Sequence, residues 1–135
     1  MRVVADTNVL VSALIFPGGS PERVYRLALE GRIELITSRP LLTELGRVLT
    51  AEFGWESGSA EEAVATLIRI AEIVDPRETV IEIERDPADD RVLEAAVEGG
   101  AEIIVAGDRH LLALGSWRGI AIEPPATFLA RGFES

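Results

Sequence analysis

The sequence predicts an α/β fold in which helices pack against a parallel β-sheet. Short apolar runs rich in β-branched residues alternate with segments whose apolar residues recur at helical spacing, which is the pattern of βαβ units. Turn and helix-cap residues separate these segments. The chain has 135 residues, of which 47% are hydrophobic, enough for one core and too few for two. We therefore expect one domain over residues 1–135.

Five apolar runs are predicted to form the strands of the sheet. Consecutive parallel strands need a crossover, and helical patterns fill the gaps between these runs. The runs are short, as buried strands are, and lie at residues 2–6, 33–37, 80–83, 102–106 and 120–122.

Cap residues mark the starts of the predicted helices. Ser20 and Pro21 open a helix that Gly31 closes. Ser59 and Glu62 have the spacing of a capping box. Two further starts are predicted where a cap residue is followed by proline, at Ser38 and at Asp86.

Charge and residue types exclude several classes of protein. With 23 acidic and 13 basic residues the formal net charge is −10, so binding to RNA or DNA without a cation or a local arginine patch is disfavoured. All basic residues are Arg, which excludes a Walker-type phosphate loop with its Lys. The absence of Cys excludes thiolate and disulfide chemistry and indicates a reducing cytoplasm. No apolar run approaches the roughly 20 residues of a membrane span, so no membrane partner is expected.

Two acids follow predicted strands, at the edge of a parallel sheet where chemistry gathers. Asp6 ends the first strand and Asp108 lies just past the fourth. If these strands are neighbours where the strand order reverses, the two carboxylates converge. The alternative is that Asp6 forms an ordinary turn and that Asp108 only caps the helix starting at Arg109.

Glu44 falls on the apolar side of the helix that follows Ser38. An ionised carboxylate left unpaired there would cost about 3 kcal/mol or more, so Glu44 needs a partner. Arg47, one turn later, is one candidate, and a bound cation is the other. Of these two candidates, we favour the bound cation as the partner of Glu44.

Three acids stand at the start of the helix opened by Asp86. Asp89 precedes Val92 by three residues and therefore faces inward, whereas Asp90 is rotated aside and Asp86 serves as the cap. We expect Asp89 to be the metal ligand. The alternative is that Asp89 only interacts with the helix dipole in the first turn.

Four acids from four segments are thus expected at one end of the sheet. Their mutual repulsion calls for a hard divalent cation, Mg²⁺ or Mn²⁺, and a single His and no Cys disfavour zinc or copper. Such a cation also lets an acidic pocket bind a phosphodiester. A covalent mechanism through His110 has no predictable Ser partner. This expectation fails if the four acids scatter, or if Glu44 pairs with Arg47 and leaves no room for an ion.

Four segments together resemble the PIN-domain family, most closely its stand-alone branch related to the VapC toxins of prokaryotic toxin–antitoxin pairs. They are residues 4–10 (VADTNVL), 38–45 (SRPLLTEL), 86–96 (DPADDRVLEAA) and 100–112 (GAEIIVAGDRHLL). The resemblance implies a three-layer sandwich, a parallel five-stranded sheet of order 3-2-1-4-5 with helices on both faces. It also implies a metal-dependent endoribonuclease with one or two Mg²⁺ or Mn²⁺ ions, whose ligands fall on Asp6, Glu44, Asp89 and Asp108.

The resemblance further implies that Asn8 orients Asp6, and that the protein is a cytoplasmic homodimer held inactive by a cognate antitoxin. One departure is Ala106, where many relatives carry Thr or Ser. Two other functions stay open: a PIN-like module that binds a partner or a metal without turnover, and a metal nuclease that acts on DNA.

Overall fold

The computed structural model describes residues 1–83 and 86–133 of the chain, which form strands and helices in alternation. The strands are β1 (Arg2–Ala5), β2 (Glu34–Ser38), β3 (Glu72–Val74), β4 (Ile103–Val105), β5 (Ser116–Trp117) and β6 (Ile120–Glu123). The helices are α1 (Thr7–Ile15), α2 (Ser20–Leu29), α3 (Arg39–Ala51), α4 (Ser57–Ile70), α5 (Pro87–Glu98), α6 (Arg109–Leu114) and α7 (Pro125–Leu129).

The strands of the described residues form one sheet of order β3-β2-β1-β4-β6-β5. All neighbouring pairs are parallel except β5 and β6, which are antiparallel. The predicted fold class is confirmed, and the parallel strands follow the expected order 3-2-1-4-5. The sheet also has a sixth strand, β5, that we did not predict. It pairs through a tight turn at Arg118 and Gly119, whose positive φ angles of 50° and 79° match the twist of a hairpin.

The third strand is not where the sequence pattern placed it. The prediction was residues 80–83, and the structure instead forms β3 at Glu72–Val74. The segment at residues 80–83 lies against α5, and side-chain carboxylates of that helix accept its backbone N–H groups. Those donors are therefore not free for a strand ladder, although the pattern of apolar residues resembles that of a strand.

The predicted helix starts are confirmed at three caps. The side chains of Ser38, Asp86 and Asp108 each accept a hydrogen bond from a backbone N–H in the first turn of the following helix. The predicted capping box at Ser59 and Glu62 is wrong. Helix α4 begins two residues earlier, at Ser57, and its first turn closes when Ala60 N donates to the carbonyl oxygen of Glu56 at 3.1 Å.

Alternate residues of each central strand face two separate cores. Val3 and Ala5 pack with helices α1 to α4 and α7 on one face, while Val4 packs with α5 and α6 on the other. Among the described residues, no helix has both the length and the apolar character to cross a membrane.

Gly99 allows the end of α5 to approach β2. A Cβ atom added at Gly99 would lie 2.7 Å from Cγ2 of Ile36 and 3.2 Å from the carbonyl oxygen of Ala95. We expect Gly99→Ala to lower the free energy of unfolding by about 1–3 kcal/mol, because Ile36 is fully buried and the carbonyl belongs to the backbone.

Gly46→Ala is the matched control in urea denaturation. Its added Cβ would meet only Val64, at 3.9 Å, and alanine favours a helix interior, so it should stabilise the protein by up to about 1 kcal/mol. Equal effects of the two substitutions would contradict the tight contact at Gly99.

Candidate metal centre

The carboxyl ends of β1 and β4 bring two of the predicted acids together. The strands are parallel neighbours, with Ala5 opposite Val105, and Asp6 N donates to the carbonyl oxygen of Val105 at 3.0 Å. Asp6 directly follows β1, and Asp108 follows β4 after a two-residue turn. The condition that we attached to their convergence is met.

The carboxylate of Asp6 is fixed by backbone N–H groups. It is 2% exposed; its Oδ1 accepts from Val9 N at 2.7 Å, and its Oδ2 accepts from Gly107 N at 2.9 Å and Asp108 N at 3.1 Å. Burial raises the pKa of Asp6, and the nearby charge of Asp108 acts in the same direction, whereas the three N–H groups act in the opposite direction. Asp6 is therefore both an N-cap and a rigid link between two strands.

Asp86, Asp89 and Asp108 form a compact cluster, hereafter the carboxylate triad. One oxygen atom of each lies within 4.8 Å of the others. Asp86 and Asp108 each use Oδ1 to cap a helix, accepting from Ala88 N at 3.2 Å and from His110 N at 3.1 Å. We predicted Asp86 as a cap alone. The missed signal was that Asp86 and Asp89 are three residues apart, which places them on the same helical turn.

Asp89 is the least satisfied member of the triad. It is 7% exposed, and within residues 1–83 and 86–133 its buried Oδ2 has no hydrogen-bond partner. Burial, the contact with Asp108 and the charges of Asp86 and Asp6 raise the pKa of Asp89 to about 8. A buried acceptor without a donor is costly in a folded protein and calls for an explanation.

Glu44 lies on the wall of the same cleft and is paired with an arginine. Its Oε2 accepts from Nε of Arg47 at 3.1 Å and its Oε1 from Nη2 at 2.8 Å, and these bonds lower the pKa of Glu44. Its side chain is 29% exposed. Glu44 thus pairs with Arg47, the alternative that the sequence left open, because a side chain three residues along a helix is within reach, and a cation as its partner stays a prediction.

The cleft between Glu44 and Asp89 leaves room for an ion. Its volume is about 270 Å³, far larger than one cation with its waters needs. The polar side chains that line it are mostly acidic: Asp6, Asn8, Glu44, Arg47, Glu52, Asp86 and Asp89. The pairing of Glu44 with Arg47 therefore does not close the site.

Two further predicted roles concern Asp90 and Asn8. Asp90 is 3% exposed and accepts hydrogen bonds from Glu82 N and Ile83 N, so it points away from the triad as expected. Asn8 is exposed and lines the cleft. Since the orientation of Asp6 is already explained by backbone N–H groups, the role of Asn8 in orienting it stays a prediction.

The donor set fits a hard divalent cation. The triad offers only carboxylate oxygens, which Mg²⁺ and Mn²⁺ prefer, and the buried Oδ2 of Asp89 is an acceptor that such an ion would satisfy. A cation would also relieve the repulsion from neighbouring carboxylates that helps to raise the pKa of Asp89.

Comparisons with known proteins identify the family of this chain. Residues 2–110 match the family model described as PIN domain. The chain is 33% identical over 118 residues to the uncharacterized protein MJ1680 of Methanocaldococcus jannaschii, covering 84% of this chain and 75% of that protein.

Two solved structures share the fold. VapBC2 from Rickettsia felis, bound to a DNA fragment from its promoter, superposes with a TM-score of 0.63 at 15% identity, over 92% of this chain and 98% of the other. VapC20 of Mycobacterium tuberculosis, described as a Sarcin-Ricin loop cleaving toxin, superposes with a TM-score of 0.59 at 18% identity, over 85% and 96% of the two chains. With the family model covering most of the chain, this protein belongs to the PIN domain family.

Proposed function

We propose that this protein is a metal-dependent endoribonuclease and the toxin of a toxin–antitoxin pair. The observation that carries the proposal is the buried Oδ2 of Asp89, a member of the carboxylate triad, which has no hydrogen-bond partner among the described residues. Membership of the PIN domain family supports phosphodiester hydrolysis as the class of reaction.

Asp6, Glu44, Asp89 and Asp108 are the proposed ligands. Asp86 lies beside Asp89 and Asp108, and Asp6 and Glu44 line the cleft. One or two Mg²⁺ or Mn²⁺ ions bound there would neutralise the phosphate charge and lower the pKa of a water molecule. Asp6 would hold its position throughout, since three backbone N–H groups fix its carboxylate.

The remaining chemistry is proton transfer and substrate binding by the chain itself. Asp89 or Asp108 accepts the proton of the attacking water, and neither forms a covalent bond to the substrate. The products carry 5′-phosphate and 3′-hydroxyl ends. Arg47, on the wall of the cleft, is the cation placed to contact a phosphate next to the scissile one.

RNA as the substrate and an antitoxin as the partner are supported by the related folds. VapC20 is described as a toxin that cleaves the Sarcin-Ricin loop, and VapBC2 is described as bound to a DNA fragment from its promoter. The net charge of −10 suits an antitoxin segment that carries arginine into the acidic cleft. We also propose a homodimer that functions in the cytoplasm, as a single PIN-like domain over residues 1–135.

The sharpest test of the activity is cleavage of single-stranded RNA with Mn²⁺ or Mg²⁺ and with EDTA. Asp89→Asn is the best variant, because Asp6 uses both oxygens to accept backbone N–H groups and its replacement would also disturb the fold. We expect the wild type to cleave only with the cation, and Asp89→Asn to lose at least about 100-fold in rate, more than loss of a supporting group costs.

Glu61→Gln is the matched control, because it removes one negative charge from an exposed position on α4. It should cleave at the wild-type rate. Equal cleavage by the wild type and Asp89→Asn would point to a contaminating nuclease. If the wild type cleaves no RNA, the proposal gives way to a binding module, and cleavage of DNA alone would make the protein a DNA-directed nuclease.

The proton on Asp89 should compete with the cation, and it should also make the stability of the folded protein depend on pH. Because the folded-state pKa of about 8 lies above the ordinary value of 3.8, the metal-free folded protein keeps a proton that the unfolded chain loses. About 3 kcal/mol of stability is lost from pH 5.5 to pH 8, so the melting temperature should fall by roughly 10 °C over that range and level off above it. Asp89→Asn should remove most of this slope, and an unchanged slope would contradict the assignment.

The affinity for Mn²⁺ should rise over the same range. If one proton leaves Asp89 on binding, the dissociation constant should fall by up to about tenfold per pH unit between pH 6 and pH 8. Isothermal titration calorimetry in two buffers of different ionisation enthalpy measures the protons released, and the account predicts close to one at pH 7.

Arg47 should weaken cation binding by holding Glu44. We expect Arg47→Met to free Glu44 toward the cleft and to tighten Mn²⁺ binding about two- to fivefold, because an unpaired carboxylate then faces the ion. Glu44→Gln should weaken it by a similar factor. If neither variant changes the dissociation constant measured by calorimetry, Glu44 is not a ligand.

A further inference from the structure

Helix α5 carries an acid at every fourth position after its cap: Asp90, Glu94 and Glu98, hereafter the acidic stripe. Like charges four residues apart destabilise a helix, so this stripe needs hydrogen-bond or charged partners. Asp90 and Glu94 are 3% and 8% exposed, which makes the need stronger, since buried carboxylates require hydrogen-bond donors.

One partner lies on the helix itself, since Nη2 of Arg91 donates to Oε2 of Glu94 at 2.7 Å and to the carbonyl oxygen of Val80 at 3.4 Å. The other partners come from one segment, residues 77–83, hereafter the strap. Val80 N donates to Oε2 of Glu94 at 2.9 Å. Glu82 N and Ile83 N both donate to Oδ1 of Asp90, at 3.1 and 2.9 Å. The strap therefore follows the stripe in the opposite direction to the helix, one carboxylate after another.

The two ends of the strap differ in how they are held. At its start, Arg77 pairs with Glu98 at 3.2 Å, where the arginine side chain is 89% exposed and the pair is therefore weak. At its end, the carbonyl oxygen of Ile83 accepts from Asp86 N at 3.3 Å. The buried contacts of Asp90 thus lie next to Asp86, which belongs to the carboxylate triad.

We propose that Asp90 and Glu94 are positioning residues that act through the strap to hold Asp86 against Asp89 and Asp108. Asp90 binds the residues that lead into α5 and lies one turn from Asp86, so it fixes the direction in which the chain enters the helix. Without these contacts the strap keeps the buried side chains of Val80 and Ile83 and the bond from Arg91 to Val80, but no bond from α5 to the backbone N–H groups of residues 80, 82 and 83. The inference rests on the proposed metal centre and deepens it, since the stripe itself does not contact the cation.

The test compares Mn²⁺ affinity at pH 8 in variants of Asp90. Asp90→Asn keeps an oxygen that can accept both N–H groups, whereas Asp90→Ala removes it. We expect Asp90→Ala to weaken binding about tenfold, the loss typical of a group that supports a ligand, and Asp90→Asn to stay within about threefold of the wild type. Calorimetry gives the dissociation constants.

A destabilised variant elsewhere separates positioning from a general loss of stability. Leu67 is fully buried on α4, in the core on the other face of the sheet, so Leu67→Ala should lower the melting temperature and leave the Mn²⁺ affinity unchanged. If Asp90→Ala does not fold, Glu94→Ala against Glu94→Gln makes the same comparison through the Val80 contact, with an expected loss of about threefold.

The proposal is overturned if Asp90→Ala binds Mn²⁺ as the wild type does, or if Asp90→Asn loses as much as Asp90→Ala. If the wild type binds no Mn²⁺, the proposed function fails. The role of the strap in holding Asp86 is then tested separately, by hydrogen exchange of Ala88 N, which donates to Asp86 Oδ1. Faster exchange of this N–H group in Asp90→Ala but not in Leu67→Ala supports the proposal that the strap holds Asp86. Equal exchange rates in the two variants reject that proposal.

Discussion

The crowding of carboxylates at the carboxyl ends of β1 and β4 is the constraint on which the rest of the site depends. Asp86, Asp89 and Asp108 place oxygens within 4.8 Å of one another, and buried Asp6 adds a fourth negative group. In a low-dielectric setting such groups cannot all ionise without compensation. Protonation of Asp89 is one solution, and a divalent cation is the other. The two solutions exclude each other, so the proposed metal centre would have an unprotonated, metal-binding form and a protonated, metal-free form.

Helix α5 links this site to the stability of the fold. Its first turn supplies Asp86 and Asp89 to the triad, while its acidic stripe binds the strap. Its end packs closely against β2 through Gly99. The carboxylates of α5 therefore fall into two groups. Those of the acidic stripe accept hydrogen bonds from backbone N–H groups of the strap, whereas Asp89 in the triad has a buried oxygen that no described group satisfies.

The sequence was sufficient to predict the parts of the fold that local rules determine. The ends of β1 and β4 and the caps at Ser38, Asp86 and Asp108 follow from short apolar runs and from cap chemistry. The third strand could not be placed, because Val80 and Ile83 are buried as in a strand while their N–H groups bind distant side chains. The partner of Glu44 could not be chosen either, since a side-chain rotamer decides between Arg47 and an ion.

The most direct measurement of the central claim is anomalous diffraction from crystals soaked in Mn²⁺ at pH 8. The account predicts a manganese peak within about 2.5 Å of Oδ2 of Asp89, with oxygens of Asp6 or Asp108 completing the coordination. A soaked crystal in which Asp89 Oδ2 instead accepts a hydrogen bond from a protein group, with no anomalous peak in the cleft, would contradict it.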